Sequence, residues 1–167
     1  MGLSTSTDQL GTVRTGTVAA VLVERDGQSY ADNFEDTVAF VREFGSATGE
    51  LAEDVRSSRC VTCGSATFWM ECSEEDGVAM RTCTQCQTAA FIGDSAELWD
   101  AADTGDAVCP CGAKVFELAI GFCVGAEPEL DVEWIVVGAR CTVCHLVGVY
   151  ADWGIDYVPS ASLKQQI

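Results

Sequence analysis

Apolar and polar positions fall into short strand-like runs from residue 66 to residue 153. "ATFWMEC" (66–72) and "VAMRTC" (78–83) flank "SEEDG", a polar stretch of turn formers, which predicts a β-hairpin. The same pattern returns downstream, where "AKVFELAIGFCV" (113–124) and "DVEWIVVGARC" (131–141) flank "GAEPEL". "TAAFIG" (88–93) and "LVGVYADW" (146–153) each predict a further strand after a hairpin. Phe68, Phe116, Val136, Val137 and Tyr150 read as packing residues of these strands.

The N-terminal third has a different period. Residues 18–23, "VAAVLV", predict a strand and "RDGQSY" a turn. Phe34, Val38 and Val41 then recur at helical spacing, and Phe40 and Phe44 widen that apolar face. The expected helix runs from about residue 33 to 44, with Asp32 or Asn33 as its cap and Gly45 at its end. "ELAEDVRSS" (50–58) predicts a second short helix. The job expected of the longer helix is to cover an apolar face of the strands.

Ten cysteines punctuate these strands. Nothing near the N-terminus has the basic and apolar regions of an export signal, and the longest apolar runs fall well short of a membrane span, so the expected compartment is the cytoplasm. Cysteines kept reduced there point to metal or redox chemistry and away from a disulfide framework. Their spacing selects metal. Cys60 and Cys63 are followed, after nineteen residues, by Cys83 and Cys86, the two-pair pattern of a zinc box. Cys109 and Cys111 in "CPCG", then twenty-nine residues, then Cys141 and Cys144, make a second set with a shorter first pair.

Anchored on these cysteines, the two sets read as copies of one unit. Gly64 and Gly112 each follow the second cysteine, and Phe68 and Phe116 lie five residues beyond it. Asp94 and Asp152 lie eight residues after the fourth cysteine, and Trp99 and Tyr157 thirteen. Such an internal repeat identifies an architecture better than a single motif. It also bears on "CTVCH" (141–145), which has the form of a c-type haem attachment site. In the first copy Gln87 stands where His145 does, so the histidine is not part of the shared plan and the zinc reading is preferred.

Each half, with its paired cysteine knuckles and the glycine that closes the first of them, resembles the zinc-ribbon family. The resemblance covers about 100 of the 167 residues and implies a fold element rather than an activity. The expected fold is α+β, mainly β: two tandem zinc-ribbon modules preceded by a short strand and helix. The expected segments are 1–57, 58–103 and 104–167. The implied cofactor is two Zn2+ per chain, held by Cys60, Cys63, Cys83 and Cys86 and by Cys109, Cys111, Cys141 and Cys144, with Cys123 as a possible substitute ligand in the second site.

Charge narrows the function. Asp and Glu outnumber Lys and Arg by 26 to 9, giving a formal charge of -17, a field that repels phosphate backbones and anionic lipid. The expected hairpin tips carry Glu74, Glu75 and Asp76 in one unit and Glu127, Glu129, Asp131 and Glu133 in the other, where nucleic-acid-binding ribbons carry basic or aromatic groups. Four thiolates per site describe closed, structural metal rather than a catalytic ion with an open position. One histidine, no phosphate loop and no nucleophile elbow leave no catalytic constellation. Asp94 and Asp152 are expected to pair with the arginine of their own repeat, Arg81 or Arg140, or to cap a turn. The reading is a non-enzymatic, acidic zinc protein that binds a basic partner protein, as an inhibitor, adaptor or immunity-type protein does. Two alternatives stand beside it: a thiol redox or zinc-dependent enzyme, with Cys72 and Cys123 as a redox pair, and a transcription-type ribbon that binds nucleic acid.

Overall fold

A computed structural model describes residues 22–49, 51–125 and 131–167. All but the last two residues of the strand expected at 18–23 lie outside the described residues, as do Glu127 and Glu129. The described chain opens with a small antiparallel hairpin, β1 (Val23–Arg25) and β2 (Gln28–Tyr30), turned by Asp26 and Gly27 at positive φ.

Helix α1 (Phe34–Thr48) follows at once. Asn33 caps it: its Oδ1 accepts the backbone N–H of Asp36 at 3.0 Å, satisfying one of the donors that a helix start leaves open. The helix runs past Gly45 and is followed by Gly49, whose φ of +91° belongs to the left-handed conformation that commonly closes helices. Asp32 does not cap the helix; its carbonyl accepts a hydrogen bond from Arg140 instead.

The segment expected to form a second helix is a strand, β3 (Ala52–Ser57). It pairs antiparallel with β8 (Phe116–Val124), with Ser57 opposite Ala119 and Val55 opposite Gly121. Helix formers such as Leu51, Ala52 and Glu53 give only a weak preference, which the open edge of a long buried strand overrides.

The other strands are β4 (Thr67–Ser73), β5 (Val78–Cys83), β6 (Ala89–Phe91), β7 (Gly105–Asp106), β9 (Val132–Cys141) and β10 (Val147–Gly154). They form one sheet in the order β10-β9-β8-β4-β5-β6. That order is symmetric about its middle, so the two units are joined through their equivalent strands β4 and β8 by an approximate twofold. The pairing is brief: Thr67 lies opposite Glu117 and Phe68 opposite Phe116, after which the antiparallel strands diverge. Each is continued by the strand that leads into the other unit's neighbour, for β3 runs on beside β8 and β7 beside β4. The first knuckle of each unit is thus an excursion from a nearly continuous line of strand, 58–66 in one case and 107–115 in the other.

β8 and β9 are buried on both faces, which explains why their sequences are apolar almost throughout. Phe116, Leu118, Ile120 and Phe122 face a core shared with Phe68, Met70, Ile92, Ile135 and Val137. Ala119, Cys123 and Val136 face the other way, toward Val41 of α1, with Phe34, Phe40 and Phe44 packed around them. Burying each large apolar side chain contributes about 1.5–3 kcal/mol. Gly121 and Gly138 let the helix approach: a Cβ at Gly121 would lie 2.8 Å from the Val41 side chain, and one at Gly138 would also strike it.

The sheet coils so that its last strand, β10, lies across the core from β4 and β5. The Cys72 thiol is 3.7 Å from the carbonyl oxygen of Tyr150, and a Cβ on Gly77 would meet Trp153 at 2.6 Å. The fold is therefore mainly β, with one α-helix among the described residues. No helix among those residues is long and apolar enough to cross a membrane.

Candidate metal centres

Three of the four cysteine knuckles share one backbone design. The N–H of the first cysteine donates to the carbonyl five residues on, and the residue four positions on donates its N–H back to the cysteine carbonyl. For Cys60 the partners are Ser65 and Gly64 at 2.8 Å each; for Cys83 they are Thr88 and Gln87 at 2.9 and 3.0 Å; for Cys141 they are Leu146 and His145 at 2.8 and 3.1 Å. The returning residue has positive φ each time: +75° at Gly64, +60° at Gln87 and +66° at His145. His145 therefore occupies a turn position that glycine and glutamine fill elsewhere.

The knuckle at Cys109 is one residue shorter. Cys109 N–H donates to Ala113 and Gly112 N–H returns to Cys109, at 2.8 and 2.7 Å, with Gly112 at φ +88°. Glycine supplies the left-handed turn in both first knuckles, where any Cβ is disfavoured.

The knuckles bring the eight cysteines together in two groups. Cys60, Cys63, Cys83 and Cys86 form one, and Cys109, Cys111, Cys141 and Cys144 the other, with the ligand atoms of each group all within 4.8 Å of one another. The short contacts run across each pair of knuckles. Cys60 Sγ lies 3.4 Å from Cys86 Sγ, and Cys63 Sγ lies 3.5 Å from Cys83 Sγ. In the second group the corresponding separations are 3.5 Å for Cys109–Cys144 and 3.7 Å for Cys111–Cys141. A tetrahedral ion with metal–sulfur bonds near 2.3 Å needs sulfurs about 3.8 Å apart, so both groups have the dimensions of a closed four-thiolate site.

Backbone amides prepare the sulfurs. Cys83 is drawn down to about 6 by the backbone N–H of Cys86, aided by that of Gln85. For Cys141, burial pushes the thiol up, but the N–H groups of Cys144 and Val143 outweigh it and bring it to about 7. Val143 N lies 3.4 Å from Cys141 Sγ. At these two positions the thiolate, the form that ligates metal, is favoured, whereas burial and the neighbouring thiols push Cys63, Cys109 and Cys144 up.

The two centres are linked through the sheet. Cys83 lies opposite Phe68, Phe68 opposite Phe116, and Phe116 opposite Cys141. A single row across four strands thus carries a metal-site cysteine at each end, about 14 Å apart at 4.8 Å per strand.

Several other residues singled out in the sequence take different places. Cys123 stands seven residues along β8 from Phe116, about 23 Å at the rise of a strand, and takes no part in the second group. It packs on the helix side of the sheet while Cys72 borders the opposite core, so the two do not form a redox pair. Among the described residues Asp94 and Asp152 pair with no arginine. Each accepts an indole N–H at 2.9 Å, Asp94 from Trp153 and Asp152 from Trp134. No sequence spacing marked those tryptophans.

The arginines also diverge. Arg140 donates to the carbonyls of Ala31 and Asp32 and to Glu117 at 2.6, 3.0 and 2.5 Å, tying the N-terminal segment to the sheet. Arg81 is buried against Phe68, its guanidinium carbon 5.6 Å from the ring centroid. Asp131 is not a free tip carboxylate. Its Oδ1 accepts the N–H groups of Ser160 and Ala161 at 2.6 and 3.0 Å, and those bonds hold its carboxyl below the ordinary Asp range.

No family model, curated protein or solved structure matches this chain. The two four-cysteine clusters stand as zinc-ribbon-like motifs able to hold metal ions.

Proposed function

We propose that this chain is a non-enzymatic zinc protein that binds a partner with a basic surface. The observation that carries the metal half of the proposal is the pair of closed four-sulfur clusters. Thiolates are soft donors suited to zinc, and four of them leave no position for water or substrate. Residues Cys60, Cys63, Cys83 and Cys86 would hold one ion and Cys109, Cys111, Cys141 and Cys144 the other, each ion contributing folding stability.

The partner half rests on charge. Two closed sites add eight thiolates and two divalent ions, taking the formal charge from -17 to -21. Glu74 and Glu75 are exposed at the β4–β5 turn. The next carboxylate, Asp76, accepts the N–H of Asp103 at 2.9 Å, which sets the exposed Asp100 and Asp103 segment beside that turn. These groups would make a continuous acidic patch that steers a basic protein.

Elemental analysis tests the first half: two zinc ions per chain are expected, and one or none would overturn it. Pull-down from the native host at low salt tests the second. Association with the retained protein should slow as salt rises from about 0.05 to 0.5 M, over which the Debye length shortens roughly threefold. A rate indifferent to salt would refute the acidic-patch reading.

A further inference from the structure

The two clusters have the same ligands but different surroundings. Backbone amides serve both alike: Ser65, Cys86, Gln85 and Thr88 reach sulfurs of the first, and Cys111, Cys144, Val143 and Leu146 reach sulfurs of the second. The contrast lies in the side chains.

In the first site, Cys86 Sγ has the hydroxyl of Thr88 at 3.2 Å. Its place after the fourth cysteine is taken in the second site by Leu146, which has no donor. Arg59 precedes Cys60, whereas Val108 precedes Cys109. Above all, Arg81 lies two residues before Cys83 and is only 2% exposed. One of its nitrogens, Nη2, donates to the Gln166 carbonyl at 3.1 Å, but Nη1 is buried with no hydrogen-bond partner. Arg81 and Cys83 stand two residues apart on β5, so their side chains share one face of that strand, and Phe68, against which the guanidinium packs, lies opposite Cys83. A buried arginine with an orphaned donor beside a thiolate cluster is explained if the cluster is anionic.

Among the described residues the second site has no equivalent cation. Arg140, one residue before Cys141, spends its guanidinium on Glu117 and on the carbonyls of Ala31 and Asp32. Lys114 is committed to Asp106 at 2.9 Å and is exposed. His145 meets the site through its backbone N–H, which donates to the Cys141 carbonyl.

A divalent ion with four thiolates carries a net charge of -2. We infer that Arg81, with Thr88, compensates that charge in the first site alone, so the first site keeps its zinc under conditions in which the second gives its zinc up. This rests on the zinc reading of both clusters. Exposure alone predicts the reverse order, since two sulfurs of the first site, Cys63 and Cys86, are exposed against only Cys111 in the second.

The test uses the full chain loaded with zinc and shown by elemental analysis to hold two ions. A chelator is added in steps with iodoacetamide, at a temperature where circular dichroism shows the fold intact. Peptide mass spectrometry then reads alkylation of each cysteine. Cys109, Cys111, Cys141 and Cys144 should be alkylated at least tenfold faster than Cys60, Cys63, Cys83 and Cys86. Arg81→Met should bring the first site to the rate of the second and leave the second unchanged, while Arg81→Lys should keep most of the difference. Thr88→Val gives an independent arm, expected to shift the first site in the same direction. Two ions released together, or the first site opening first in the wild type, would overturn the inference while leaving the zinc reading intact. Fewer than two ions at the start would overturn the zinc reading and this inference with it.

Discussion

Trp153 donates its indole N–H to Asp94 at 2.9 Å, and that bond fastens the last strand of the second unit to the loop that closes the first. The repeat supplies an unequal counterpart, because Asp152 takes its indole from Trp134 within the same unit. Equivalent aspartates therefore do different jobs: one holds the halves together and the other braces β9 against β10. Asp94→Ala should cost about 1–3 kcal/mol, since it strands a donor on a nearly buried tryptophan. A double-mutant cycle with Trp153→Phe, followed by urea unfolding, should return a coupling energy of at least about 0.5 kcal/mol. Strict additivity would mean that the bond contributes nothing.

Gly138 seats the helix. Gly138→Ala should destabilise the protein by about 1–3 kcal/mol, because the added methyl strikes Val41 in a packed layer. Val41→Ala in the same chain should recover part of the loss by making room. Thermal melts of the two single variants and the double variant check this, and a double variant less stable than either single would contradict it.

Cys141→Ser should lower the zinc content from two ions to one, and Cys83→Ser should do the same at the other end of the row. A structural four-thiolate site contributes on the order of 10 kcal/mol of binding that is also folding free energy, so either variant should melt at a markedly lower temperature. The two units share the row Cys83–Phe68–Phe116–Cys141 and one core. The expected melt is a single broadened or shifted transition of the whole sheet. Two separate transitions, one at the wild-type temperature, would show that the ribbons fold independently.

Glu74→Lys with Glu75→Lys should weaken capture of the proposed basic partner by at least about tenfold and flatten the salt dependence of association. Asp131→Ala supplies the contrast. Its carboxylate is occupied by Ser160 and Ala161, so that variant should lose about 1–3 kcal/mol of stability and keep its affinity. Equal affinity of the double charge-reversal variant and the wild type, with zinc content intact, would move the search for the partner surface away from the β4–β5 turn.

Local chemistry was written in the chain. Cysteine spacing grouped the eight sulfurs into two sets of four, because each knuckle is built within five or six residues whatever the separation between knuckles. Apolar runs bounded by turn residues placed most of the strands, and the 3.6-residue period placed α1 with its Asn33 cap, because both depend on neighbours a few positions away. Tertiary structure decided what these elements meet. "ELAEDVRSS" has helix-forming residues, yet 52–57 became β3 because β8 offered unpaired backbone groups more than sixty residues later. Arg81 and Arg140, nearly equivalent in the repeat, point to opposite sides of the sheet because one lies two residues and the other one residue before its cysteine, and side chains alternate along a strand. Asp94 found Trp153 only because the sheet coils until its last strand crosses the first unit. Hydrophobic pattern records which face of a strand is buried; it carries no record of which distant strand will bury it.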